Sequence, residues 1–188
     1  MKKNSREEMI KTTALLLQTK GYFGTGLNDI IKESGAPKGS IYYHFPNGKE
    51  QLALEAIEWT KKNVTKFIKD KLTQYEDPVE AIQEYILDSA ERFEKENYFQ
   101  GVPITAIVLE TSSTSEMLRD ACRNVFEAWH KVIADKLLIN GFEKEVAFEL
   151  AMTVNVMIQG ALVICLTRKD ASALRVIADK IPTLINQR

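Results

Sequence analysis

Residues with chemistry to offer cluster near the N-terminus, in Pro37-Lys-Gly-Ser-Ile-Tyr-Tyr-His-Phe45. On a helix Ile41 and Phe45 lie four residues apart and share an inner face. That leaves Lys38, Gly39, Ser40, Tyr42, Tyr43 and His44 outside. The hydroxyl, imidazole and ammonium groups suit phosphate oxygens, which fix register without reading sequence. The two small residues at the front would let the helix approach the floor of a major groove. A lysine in that position can donate to O6 and N7 of guanine.

Few other residues suggest chemistry. The two histidines are His44, inside this segment, and His130, which has no His, Cys or Asp at metal-ligand spacing. His44 could also be a surface or packing histidine, and His130 reads as structural or pocket-lining. Cys122 and Cys165 fall on apolar helical faces and read as buried thiols, with redox sensing as the alternative. No catalytic triad, P-loop, dinucleotide turn or cofactor site is legible. Phe93, Tyr98, Phe99, Phe126 and Trp129, with His130 nearby, could be plain core or the wall of an apolar ligand cavity.

Helices must position these groups. Four capping signatures, Ser5-Arg-Glu-Glu8, Asn47-Gly-Lys-Glu50, Asp77-Pro-Val-Glu80 and Ser113-Thr-Ser-Glu116, precede long apolar-periodic stretches. The spacing predicts nine helices, over 6–20, 27–34, 37–44, 48–74, 78–97, 103–111, 115–140, 143–168 and 170–186. No sustained period-two alternation predicts a strand. Six of the nine glycines lie between 21 and 48, at the turns between the short helices. Leu27, Ile30 and Ile31 on one face, a turn at Ser34-Gly35-Ala36 and a helix opened by Pro37 read as a helix-turn-helix. The expected fold is all-α: a three-helix helix-turn-helix domain over 1–50, joined through the helix at 48–74 to a helical bundle over 51–188.

Bulk composition hides this division. The 188 residues carry 25 Lys+Arg and 26 Asp+Glu, a net charge of −1. Residues 1–66 carry 11 basic and 7 acidic side chains, net +4, while 67–188 carry 14 and 19, net −5. A positive end on an acidic body suggests a local anionic partner. With 45% hydrophobic residues and two cysteines, the chain is neither disordered nor a disulfide scaffold. Its N-terminus leads into a charged amphipathic stretch without the apolar core of a signal peptide. The apolar run at 154–166 is too short and interrupted to suggest a membrane span. A cytoplasmic location is expected. The same run could be an interior helix of a monomer. With the amphipathic stripe at 174, 177, 178, 181 and 185, it reads instead as a two-helix dimer face over about 143–186.

The order Gly21-Tyr-Phe-Gly-Thr25, Asp29-Ile-Ile31, Gly35-Ala-Pro-Lys-Gly-Ser-Ile-Tyr-Tyr-His-Phe45 and Lys49-Glu-Gln-Leu52 resembles the DNA-binding domain of TetR-type transcriptional regulators. The spacing between Phe45 and Lys49 is one residue longer than the commonest pattern, a form similar to the LmrA/YxaF-like branch. Leu109-Glu110, Phe126 with Trp129, and Gln159-Gly-Ala-Leu162 look like that branch's ligand domain. Gly101-Val-Pro103 stands where Gly-Cys-Pro is usual, so no role of that cysteine carries over. The resemblance implies Thr25, Ser40, Tyr42, Tyr43, His44 and Lys49 as phosphate contacts and Asn28, Pro37, Lys38 and Gly39 at base edges. It also implies a homodimer on palindromic double-stranded DNA, acting as a repressor released by a small hydrophobic or aromatic effector; some branch members respond to flavonoids. Phe93, Phe99, Phe126, Trp129 and His130 are the pocket candidates, and a ligand among them would tilt the linking helix. Two alternatives stand beside this reading: a helical protein-interaction module and a small all-α enzyme.

Overall fold

The computed structural model describes residues 5–37, 39–96 and 104–186. Among them are nine helices and no strand: α1 (Ser5–Lys20), α2 (Leu27–Ser34), α3 (Ser40–His44), α4 (Gly48–Leu72), α5 (Pro78–Glu96), α6 (Ile104–Thr111), α7 (Glu116–Ile139), α8 (Lys144–Arg168) and α9 (Ser172–Asn186). Their order and type match the expected set, and most ends fall within two residues of it.

The largest difference at a helix start is at α3, expected from Pro37 but regular only from Ser40. Both the Ser40 amide and its hydroxyl donate to the Pro37 carbonyl, at 2.9 and 2.7 Å, and so hold a turn ahead of the helix. Similar local bonds set other starts. Asp77 Oδ1 accepts from the Val79 amide at 3.1 Å, as its signature predicts. At α7 the cap is Ser115 rather than Ser113: its hydroxyl oxygen accepts from the Leu118 amide and its O–H donates to Glu50. Asp170 takes the Ser172 amide at 2.9 Å, so α9 begins there.

These helices gather into two compact units. The first comprises Met1–Asn63 with Gln100–Val125, the second Val64–Phe99 with Phe126–Arg188. Each unit is discontinuous in sequence, and α4 and α7 each run through the boundary.

In the first unit α1 packs on α2, α3 and α6. Met9, Leu17, Ile30, Ile41, Phe45 and Leu52 are its fully buried anchors. Gly21 closes α1 with φ +72° and donates its amide to the Leu17 carbonyl, a left-handed stop that favours glycine.

In the second unit α9 packs on α5 and α8. Pro182 lies inside α9 and cannot donate to the carbonyl of Ala178, four residues earlier. Gln83 of α5 fills that gap: its side-chain amide donates to the Ala178 oxygen at 3.2 Å. Lys136 is similarly committed, its ammonium buried against the Tyr75 and Glu76 carbonyls between α4 and α5.

Among the described residues α8 is long and apolar enough to cross a membrane by length and composition. Its buried stripe runs through Leu150, Val154, Ile158, Leu162 and Cys165.

Candidate nucleic-acid interface and effector region

Two hydrophobic anchors aim the surface of α3. Ile41 and Phe45 are 1% and 0% exposed, which turns Tyr42 and Tyr43 outward at 64% and 83% exposure. Large aromatic side chains left in water so completely contribute little to the fold. Gly35 supplies the left-handed residue at the end of α2, with φ +65°, and thereby sets the turn into α3.

Gly39 differs from Gly35. Its φ is −81°, open to any residue, and a Cβ there would meet nothing within 4 Å. Neither the backbone nor the packing of the chain requires glycine at this position.

The remaining predicted contacts differ in exposure. Asn28, Pro37 and Gly39 are exposed, and Lys38 lies outside the described residues. Ser40 is half-buried, with its proton directed to Pro37. His44 sits beside the start of α1, its Nε2 3.3 Å from Ser5 Oγ, and its ring meets Tyr43 edge-on at 5.0 Å. Lys49 places its ammonium 4.3 Å from the centre of the Tyr22 ring. Burial lowers the Lys49 ammonium below its ordinary value, while the charge of Glu110 opposes the shift. The Tyr22 phenol is pushed up, first by burial and then by Glu50. Thr25 is only 1% exposed, and its hydroxyl donates to the Gly21 carbonyl at 2.7 Å. Its side chain holds the turn between α1 and α2.

Glu110 of α6 joins this unit in a way spacing did not reveal. Its Oε2 accepts from the Phe23 amide at 2.8 Å. Its carboxylate also fills the place a Gly21 side chain would need, since an added Cβ would lie 2.0 Å from Oε1. Arg6 pairs with Glu55, and Ser115 donates to Glu50 at 2.6 Å, fastening α1 and the start of α7 to α4. A contact over 87 residues has no local sequence signal, although Leu109-Glu110 belonged to the family pattern.

In the second unit the aromatic candidates separate. Phe126 and Trp129 meet edge-on at 5.8 Å. Trp129 is 4% exposed, and its indole Nε1 is buried without a hydrogen-bond partner. His130 donates from Nε2 to the Phe148 carbonyl at 2.8 Å, tying α7 to α8. Phe93 lines a cleft of about 590 Å³ with Glu94, Leu166, Lys169 and Asp170. Phe99 and residues 101–103 lie outside the described residues. Both cysteines are free and buried, and burial pushes the Cys122 thiol up to about 11. No group of three or more His, Cys, Asp or Glu among the described residues could hold a metal ion.

The opposite face of α8 is exposed and apolar. Met152, Val156, Val163 and Ile164 stand 46–63% exposed, and Val176 of α9 is 57% exposed. Gly160 lies in the middle of that face, and an added Cβ there would meet nothing within 4 Å.

Comparison with known proteins agrees with this architecture. The family of bacterial regulatory proteins of the tetR type matches residues 9–56, and the C-terminal domain of LmrA/YxaF-like transcriptional regulators matches residues 78–180. The HTH-type regulator YxaF of Bacillus subtilis is 45% identical over 98% of this chain and 97% of its own length. LmrA of the same organism is 41% identical over 98% of both chains. The crystal structure of a TetR regulator from Chloroflexus aurantiacus is 28% identical and superposes with a TM-score of 0.81, covering 98% of this chain and 95% of that one. These proteins are transcriptional regulators and not enzymes, so the enzyme alternative is set aside. TetR regulators bind operator DNA and act as dimers. An all-helical chain with an N-terminal helix-turn-helix and an LmrA/YxaF-like C-terminal domain is what both family matches describe, and the protein belongs to the TetR family of transcriptional regulators.

Proposed function

We propose that this regulator is a cytoplasmic repressor that binds palindromic operator DNA as a homodimer and is released by a small hydrophobic or aromatic molecule. Residues 1–50 read the DNA, and residues 51–188 bind the effector and form the dimer. The observation that carries the reading is Gly39. Glycine costs backbone entropy, and nothing inside the chain needs it there. Close approach of an outside surface is a reason for the missing side chain. The exposed tyrosines on the following turn flank that approach.

In this reading Lys38 and Asn28 donate to base edges, with Pro37 and Gly39 against the groove floor. Ser40, Tyr42, Tyr43, His44 and Lys49 hold phosphates. Thr25 contributes by shaping the turn, because its own hydroxyl is committed to Gly21. The α8–α9 face forms the dimer, with the open position at Gly160 allowing helices of two subunits to come close. The pocket is built around Phe93, Phe99, Phe126, Trp129 and His130. The unpartnered indole N–H of Trp129 favours an aromatic effector bearing a hydrogen-bond acceptor.

Fluorescence anisotropy with the gene's own upstream DNA tests the proposal. Lys38→Ala and Tyr42→Phe should both weaken binding, Lys38→Ala should also relax base preference, and affinity should fall steeply with salt. Unchanged affinity and preference in both variants would sink the recognition-helix assignment.

A further inference from the structure

A groove of about 390 Å³ lies between the last turns of α4 and α7, both within the second unit. Its volume falls within the range of small-molecule sites. Thr65, Lys69, Leu72 and Thr73 line it from α4, and Ala128, Val132 and Ile139 are among its α7 lining. The aromatic pocket candidates do not line it. Two features distinguish it from an ordinary surface crease. Thr65 Oγ1 is buried and has no hydrogen-bond partner. Lys69 follows Thr65 by one helical turn on the same face, and among the described residues its ammonium has no partner.

The charge around the groove is lopsided. Lys69, Lys131 and Lys136 face a single carboxylate, Asp135, which Lys131 already grips through both oxygens at 2.9 Å. Lys136 is held by backbone carbonyls that leave its charge uncompensated. An excess of two positive charges thus surrounds an apolar floor, inside a segment whose overall balance is acidic.

We propose that this groove binds an amphipathic carboxylate. The apolar tail lies against Leu72, Val132 and Ile139, and the carboxylate accepts from Lys69 and Thr65 Oγ1. An uncharged molecule would gain nothing from the exposed Lys69 ammonium, and a small hydrophilic anion would leave the apolar floor wet. The site also has a place in regulation, because α4 and α7 are continuous helices that each run from the first unit into the second. A ligand bridging their last turns biases whichever arrangement of the two helices it fits better. This consequence rests on the effector-released reading above; the binding itself does not.

The test is isothermal titration of the full-length protein with decanoate and, separately, with decanol. Decanoate should bind, and decanol should bind about tenfold more weakly or worse. Lys69→Glu and Thr65→Val should each weaken decanoate, with the charge reversal costing about tenfold. Ala128→Trp, which fills the groove, should abolish binding. If Ala128→Trp does not fold, the exposed Lys69→Glu decides the matter alone. The proposal is overturned by absence of decanoate binding, by equal affinity for decanol, or by titrations that Lys69→Glu leaves unchanged. Anisotropy on upstream DNA with and without decanoate then reads the coupling. Loss of DNA binding by the wild-type protein without ligand would count against the regulator reading and not against the groove.

Discussion

The two units bury their cores alike and expose different surfaces. The first leaves polar and aromatic groups on a short helix whose anchors, Ile41 and Phe45, are almost wholly buried. The second leaves an apolar strip, Met152, Val156, Val163 and Val176, on helices whose other faces are equally well packed. A surface of hydroxyls, imidazole and ammonium around a bare glycine suits a polyanion, whereas a surface of valine and methionine suits another apolar face. The glycines divide by use within and across the units. Gly21 and Gly35 serve the backbone, at positive φ, while Gly39 and Gly160 have negative or unremarkable torsions and open space where a side chain would stand.

Substitutions can break this contrast. The largest effect is expected from Gly39→Leu, which should remove specific operator binding in anisotropy while leaving the unfolding free energy within about 0.5 kcal/mol of wild type. A comparable loss of stability would mean that Gly39 serves the fold after all. Val156→Glu should raise the dimer dissociation constant about 30-fold or more in analytical ultracentrifugation, since one buried charge per subunit would face an apolar partner. An unchanged association state would remove α8 from the interface.

Stability sharpens the comparison further. Cys122 is buried in the first unit, with its thiol raised from the ordinary 9.0 to about 11. Above pH 9 the unfolded chain releases this proton and the folded chain does not, so stability falls as pH rises toward 11. Cys122→Ser at neutral pH carries a packing cost, so the readout is the slope: the wild type should lose about 2 kcal/mol more than the variant between pH 9 and 11. In the second unit, Gln83→Ala should cost about 1–2 kcal/mol in urea denaturation by leaving the Ala178 carbonyl without its donor. Glu110→Ala should cost about 1 kcal/mol, because the Phe23 amide is near solvent and can turn to water. Its effect on DNA affinity should exceed its effect on stability if the α1–α2 turn is part of the reading surface.

Much of the helical order was legible because it rests on local physics. Apolar spacing, Asp77 ahead of Pro78, and Gly21 after Lys20 are signals within a few residues. The helix-turn-helix was legible for the same reason, since its turn, anchors and exposed groups lie within about 25 consecutive residues. Where local side chains competed, the reading slipped: Ser40 bonding back to Pro37 delayed α3, and Ser115 rather than Ser113 capped α7. The placing of the aromatic candidates was least legible. Phe126, Trp129 and His130 are neighbours in sequence, yet Trp129 is buried while His130 reaches Phe148 on another helix.

By itself the sequence determined that the chain is helical, that its N-terminal helices form a helix-turn-helix, and that its charge divides into a basic start and an acidic remainder. These follow from periodicity, capping and composition, which need no knowledge of distant neighbours. Only the tertiary structure decided that α6 belongs with the N-terminal helices through Glu110, that Gln83 answers the carbonyl left free by Pro182, and that Thr25 faces inward. The first two depend on a polar group finding its partner across tens of residues, and the third on a hydroxyl closing back on Gly21 beneath a packed turn. Such long-range pairing is set by how helices pack, which brings most buried donors and acceptors to a partner that local spacing does not reveal.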